Sequence, residues 1–144
     1  MRPLQPSDAS AWCDLRGLLW PDETGAHEAD VASFLAGRLP VPQAVLVAGR
    51  DGVVVGFAEL SLRAYAEGCQ TSPVAYLEGW FVRADQRGKG IGRALLRAAE
   101  EWGRSQGCSE FASDTERQNE VSGAVHRACE FEEVSSIRCF RKDL

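Results

Sequence analysis

The stretch Val82 to Cys108, VRADQRGKGIGRALLRAAEEWGRSQGC, places three glycines in five residues, Gly88, Gly90 and Gly92, ahead of a long amphipathic run. A glycine-rich turn that opens a helix presents backbone N–H groups to a ligand. Together with the helix dipole, these groups bind phosphate. Glycine permits positive φ and close backbone approach there. Three patterns compete for the stretch. The P-loop needs a lysine followed by Ser or Thr, and no lysine of this chain has one. The dinucleotide fingerprint G-x-G-x-x-G needs its third glycine one place later than Gly92, and it usually follows the first strand of its domain. The third pattern, [QR]-x-x-G-x-[GA], fits RGKGIG, Arg87 to Gly92.

Two carboxylates stand where acid–base or cation-binding chemistry is possible. Glu78 interrupts the apolar strand VAYLEGWFV, where a buried carboxylate is costly. It reads either as a residue turned to solvent or as a carboxylate facing an open site, where it accepts a proton from an amine directly or through water. Asp114 ends the following strand, near the mouth of a β-α-β crevice, and reads as a turn residue or a ligand group. Asn119 reads as the N-cap of the next helix. His27 and His126 are the only histidines. His126 and Cys129 can share a helix face, but two residues do not make a metal site, and none is expected. No Ser/His/Asp or Cys/His set is convincing.

These groups need a scaffold. The 144 residues, 44% hydrophobic, suffice for one domain, residues 1–144, with one core. SDASAWCDLRGLLW reads as a helix with Ser7 as N-cap, and HEADVASFLAGRL as a second helix stopped by Pro40. AVLVAGRDGVVVGFAELSLRA reads as two strands joined at Asp51-Gly52. VAYLEGWFV is a strand, and the helix after the glycine loop carries the stripe Leu95, Leu96, Ala99 and Trp102, with Gly107 as its stop. SEFASD is a short strand, NEVSGAVHRAC a short helix and EEVSSIRCFRK a last strand. The expected order is β-α-α-β-β-β-α-β-α-β, an α/β (α+β) fold with a mixed, mostly antiparallel sheet and helices on both faces.

The net charge is −5. Such an acidic chain suits a cationic ligand better than nucleic acid. No apolar run reaches the length of a membrane span, and no signal core opens the chain. Five cysteines without a C-x-x-C motif fit a reducing cytoplasm.

The segment RGKGIG, set between a strand and a helix, resembles motif A of the GCN5-related N-acetyltransferases (GNAT). In that superfamily the loop amides hold the pyrophosphate of acetyl-coenzyme A. A finer resemblance is to the aminoglycoside 6'-N-acetyltransferases, carried by LLWP (Leu18 to Pro21), TSPVAYLEGWFV (Thr71 to Val82), GCSEFASDTERQN (Gly107 to Asn119) and FEE (Phe131 to Glu133). The resemblance implies acetyl transfer from acetyl-coenzyme A to the 6'-amine of an aminoglycoside, with drug resistance as the result, in a cytoplasmic homodimer. It implies that Arg87, Gly88, Lys89, Gly90, Ile91, Gly92 and Arg93 cradle the pyrophosphate. Trp80, Phe81 and Val82 would lie along the pantetheine arm, and Asn119 would contact the cofactor. It gives Glu78 the part of base and acceptor contact, and Asp114 the part of a ligand for substrate ammonium groups. Trp20 and Tyr65 match aromatic contacts around the sugar rings, with Glu23 adding negative charge.

The chain departs from the family pattern in three places. Glu130 stands where a glycine often precedes the Phe of FEE. Phe140 replaces a tyrosine that is a possible acid for the leaving thiolate. Ser135 replaces a second acid. Alternatives to an aminoglycoside acceptor are a polyamine, a protein lysine, or no acceptor at all in a module that only binds acetyl-coenzyme A.

Overall fold

The computed structural model describes residues 1–22 and 24–144. Its elements are β1 (Arg2–Pro3), α1 (Ala9–Leu19), α2 (Ala26–Leu35), β2 (Ala44–Arg50), β3 (Val53–Arg63), β4 (Val74–Val82), α3 (Ile91–Ser105), β5 (Phe111–Ser113) and α4 (Glu120–Ala128). The five strands form one sheet in sequence order. β1 to β4 pair antiparallel, and β5 lies parallel to β4. The parallel pair follows from the crossover: a strand, a helix and a returning strand form a β-α-β unit.

Each face of the sheet packs a different set of helices. Leu46, Ala58, Leu60 and Leu77 meet Leu95, Leu96 and Ala99 of α3, with Trp80, Cys129 and Phe131 packed at the edge. On the other face Val45, Val47 and Phe57 meet Trp12 and Leu15 of α1 and Val31 of α2. The i, i+4 spacing of Leu95 and Ala99 puts both on the α3 stripe that faces the core. The β2–β3 turn falls at Asp51-Gly52, both with positive φ, as a two-residue hairpin requires.

Three expectations need correction. Ser7 is not the N-cap of α1, because it sits in a 3-10 turn, Pro6–Asp8, and Asp8 occupies the cap position. There Asp8 is held by Arg2 and by the backbone N–H of Gln5. The second helix stops at Leu35, short of Pro40, because Gly37 takes positive φ and its N–H turns back to the Phe34 carbonyl. The last strand, EEVSSIRCFRK, does not form: residues 131–144 carry no regular structure. The edge available to it, β5, is only three residues long. A strand without a partner ladder leaves its backbone groups to water.

Candidate active site

β4 carries a bulge at its functional point. Glu59 of β3 pairs with Gly79, and the next residue, Leu60, pairs with Leu77. Glu78 is therefore the extra residue, two facing one, and such bulges re-aim a side chain. The consequence is visible in the packing. Leu77 and Trp80, three apart, both join the α3 face, whereas an unbroken strand would put them on opposite faces. Beyond Leu77, β4 has no partner on its β5 side, since the parallel pairing covers only Ala75, Tyr76 and Leu77. The two strands part there, and a cleft of about 460 Å³ opens, lined in part by Trp20, Glu78, Gly79, Trp80, Asp114 and Asn119.

Trp20 closes one wall as the C-cap of α1, its N–H donating to the Arg16 carbonyl and its surface 37% exposed. His27 bonds the Trp20 carbonyl at 2.6 Å, and the Arg16 guanidinium lies 5.3 Å from the indole centroid. The ring edge rests on Gly79, where an added Cβ would overlap Trp20 Cη2. Gly79→Ala is expected to push the indole off the strand. The checks are a shift in tryptophan emission and a several-fold rise in acceptor KM, against an unchanged acetyl-coenzyme A KM.

Glu78 is the most engaged carboxylate of the cleft and is 16% exposed. Arg63 grips it at two points, Nε to Oε1 at 3.0 Å and a terminal nitrogen to Oε2 at 2.7 Å, and the Ser61 hydroxyl donates to Oε1. The Arg63 guanidinium lies flat over Tyr76, 3.4 Å from the ring centroid. The Tyr76 hydroxyl donates to Asp114 Oδ1 at 2.6 Å. Burial first, then the bond to Asp114, pushes the Tyr76 phenol far above its ordinary pKa, so it acts as a fixed donor. One chain of contacts thus joins Ser61, Glu78, Arg63, Tyr76 and Asp114.

The glycine loop takes the shape expected of it. Gly88 and Gly90 have φ of 73° and 78°, and neither would meet a neighbour with an added Cβ. Open space and left-handed backbone together make a cradle that a group with phosphate oxygens fits. The first helical bond of α3 runs from Ala94 to Gly90, so the N–H groups of Ile91, Gly92 and Arg93 lie free of the ladder. The basic side chains are tied back: Arg87 to the Val82 carbonyl, Lys89 to the Asp85 carbonyl, Arg93 to the Ala128 carbonyl. Trp80 packs on Gly92 and edge-on to His126, and its indole N–H is the buried side-chain polar atom left without a partner among the described residues.

The structure brings Trp20, Glu78, Trp80, Asp114 and Asn119 to one cleft. Phe81 turns to the opposite face, beside Phe57, and Val82 packs toward α3. Asn119 caps α4 by accepting from the Ser122 N–H at 3.0 Å, as its helix-cap reading requires, while also lining the cleft. His126 is hydrogen-bonded to Ser122 and Ser113. Tyr65 is not in this cleft. It is 65% exposed, bonds Glu67, and lines a neighbouring groove that also reaches Asp114 and Arg63. Glu23 lies outside the described residues. Among the described residues no group of three or more His, Cys, Asp or Glu is placed to hold a metal ion.

Sequence reasoning missed Arg63, Ser61 and Tyr76. For Ser61 and Arg63 a signal was present in ELSLR, Glu59 to Arg63, where polar residues alternate with leucine and so share one sheet face; for Tyr76, in VAYLEGWFV, there was none.

The sheet parts beside a bulged strand, and a glycine loop suited to phosphate oxygens opens the following helix. Consistent with that, the sequence pattern of the acetyltransferase (GNAT) family matches residues 11–131, and the chain belongs to this family. Within it, the chain is 49% identical to an aminoglycoside N(6')-acetyltransferase type 1 of Klebsiella aerogenes, across 100% of this chain and 96% of that one. The solved structure of AAC(6')-Iy, in complex with the bisubstrate analogue CoA-S-monomethyl-acetylneamine, superposes with a TM-score of 0.90 at 39% identity, covering 99% of this chain and 97% of that one. The AAC(6')-Ih enzyme of Acinetobacter baumannii gives 0.89 at 37% identity, covering 99% and 96%.

Proposed function

We propose that this protein transfers the acetyl group of acetyl-coenzyme A to the 6'-amine of aminoglycosides and so confers resistance to them. The observation that carries the reading is the pair Glu78 and Asp114, which line one cleft with Trp20 and with Trp80, whose ring packs on Gly92 of the glycine loop. Carboxylates next to an aromatic wall suit a polyammonium sugar. Acetyl-coenzyme A supplies the thioester carbon that the amine attacks.

The chain's own residues have limited work to do. Glu78 receives the acceptor ammonium and directs its proton away, directly or through water, leaving a neutral amine. The C–N bond then forms as the C–S bond breaks, the nitrogen gives up its remaining extra proton to water, and the departing thiolate is protonated from water. No tyrosine acid stands at residue 140: Phe140 is 90% exposed, in the unpaired tail. Asp114 holds a second ammonium. The Gly88–Gly92 backbone and the start of α3 anchor the pyrophosphate.

The full-length likeness to aminoglycoside enzymes favours this acceptor over polyamines and peptides. The test mixes the protein and acetyl-coenzyme A with kanamycin, a kanamycin analogue bearing hydroxyl in place of the 6'-amine, spermidine or a lysine peptide, and follows free thiol. Release with kanamycin and none with the hydroxyl analogue is expected. Release only with spermidine or peptide would overturn the acceptor.

The reading extends to a homodimer in the cytoplasm. Val134, Ile137 and Phe140 are exposed on a tail without a strand partner, a segment suited to pairing with a second copy. Light scattering on the full chain should give twice the monomer mass. Five free cysteines suit a reducing compartment, which cell fractionation checks.

A further inference from the structure

Among the described residues, the acceptor cleft is lined by three carboxylates, Glu78, Asp114 and Glu116, and by no lysine or arginine. Yet a cation reaches its wall from behind. Arg63 contacts both oxygens of Glu78, and Ser61 adds a third donor. An ionised carboxylate offers about four lone-pair sites. Three are taken, so about one direction remains for an incoming amine. Arg63 is in turn fixed flat on Tyr76, whose hydroxyl holds Asp114. A guanidinium suits this place because its planar fork matches a carboxylate at two points while its face stacks on a ring. A lysine does neither.

We propose that Arg63 is a built-in counter-cation of the acceptor cleft, a positioning and specificity residue that gives up acceptor affinity to leave Glu78 a single productive direction. The inference rests on the acetyl-transfer reading above. It has two consequences of opposite sign. Removing the charge leaves three uncompensated carboxylates and frees lone pairs on Glu78, so a polyammonium acceptor binds tighter. The same change lets the acceptor amine meet Glu78 in several poses, so fewer encounters are productive. A residue that merely supports the fold would weaken binding and turnover together.

The experiment compares Arg63→Gln and Arg63→Lys with the unaltered protein. It reads kanamycin Kd by calorimetry on the coenzyme A complex and kcat by thiol release. For Arg63→Gln, Kd is expected to fall about threefold and kcat about tenfold. Arg63→Lys keeps the charge and loses the two-point grip, so Kd should stay within about twofold of the unaltered protein while kcat is still reduced. The proposal is overturned if Arg63→Gln leaves both quantities unchanged, or if its Kd rises. If Arg63→Gln no longer binds coenzyme A, Arg63→Lys decides alone, and full kcat in it overturns the proposal. Kanamycin turnover by the unaltered protein tests the parent reading separately. The Kd comparison is read whatever that result.

Discussion

Replacing Glu78 by Gln is expected to lower kcat with kanamycin by about 100-fold, the usual scale for losing a positioned proton acceptor. The substitution keeps the volume and an oxygen for Ser61 or Arg63 to donate to. In the proposed mechanism it removes the charge that draws an ammonium and then helps it become an amine. Acetyl-coenzyme A affinity should change little, because the polar partners of Glu78 are Ser61 and Arg63, neither of them on the Gly88 to Gly92 loop. Stability should change little. The side chain of Arg63 is 41% exposed, so the guanidinium left facing an amide can turn to water. The decisive measurement is single-turnover thiol release at saturating acetyl-coenzyme A, with thermal melting as control. A kcat within threefold of the unaltered protein would remove Glu78 from the proton path and leave Asp114, with water, as the acceptor.

What the sequence made legible and what it concealed divide along a physical line. Local rules placed the Asp51-Gly52 hairpin, the α3 stripe and the glycine loop, because turn chemistry and helical periodicity act over a few residues. Glu78 was visible as an oddity, a charge in an apolar strand. Its direction was not, since a bulge is a relation between two strands: Glu78 is extra only because Glu59 and Leu60 pair with Gly79 and Leu77. Arg63 was hidden for the same reason. At the end of a strand a basic residue reads as solvated, and only the fold lays it over Tyr76 and against Glu78. The tail misled in the other direction. Val134, Ile137 and Phe140 recur every third residue, which is not the period of a strand, and no long edge within the chain awaits them. The likeness to family members supplied the acceptor, which nothing in spacing or composition could.

Glu59→Ala is expected to destabilise the protein by about 3–5 kcal/mol, the cost of stranding a buried partner. Glu59 Oε1 accepts from Arg16 at 2.7 Å and from the Trp12 indole at 3.0 Å, and all three residues are buried. Alanine would leave the indole N–H without an acceptor and Arg16 with only Asp30 and His27. Burial pushes the Glu59 carboxyl up from its ordinary pKa of 4.5, against the pull of Arg16. The sign of the pH effect follows. With the folded value above the unfolded one, the folded state holds its proton to higher pH. This contribution to stability is therefore complete below about pH 4.5 and is lost as pH rises through the folded value. Glu59→Gln has no such titration and keeps an oxygen for both donors. Its deficit relative to the unaltered protein should be small and should shrink as pH rises, while the alanine deficit stays large. Urea unfolding of the three proteins near pH 4.5 and at a series of higher pH values reads both effects, and a Glu59→Ala loss under about 1 kcal/mol would sink the argument. The site shares in the outcome, because Arg16 also stacks on Trp20. Freed from Glu59, the guanidinium no longer fixes the indole that walls the acceptor cleft, so Glu59→Ala should raise acceptor KM although Glu59 lies outside that cleft. Glu59→Gln should restore it.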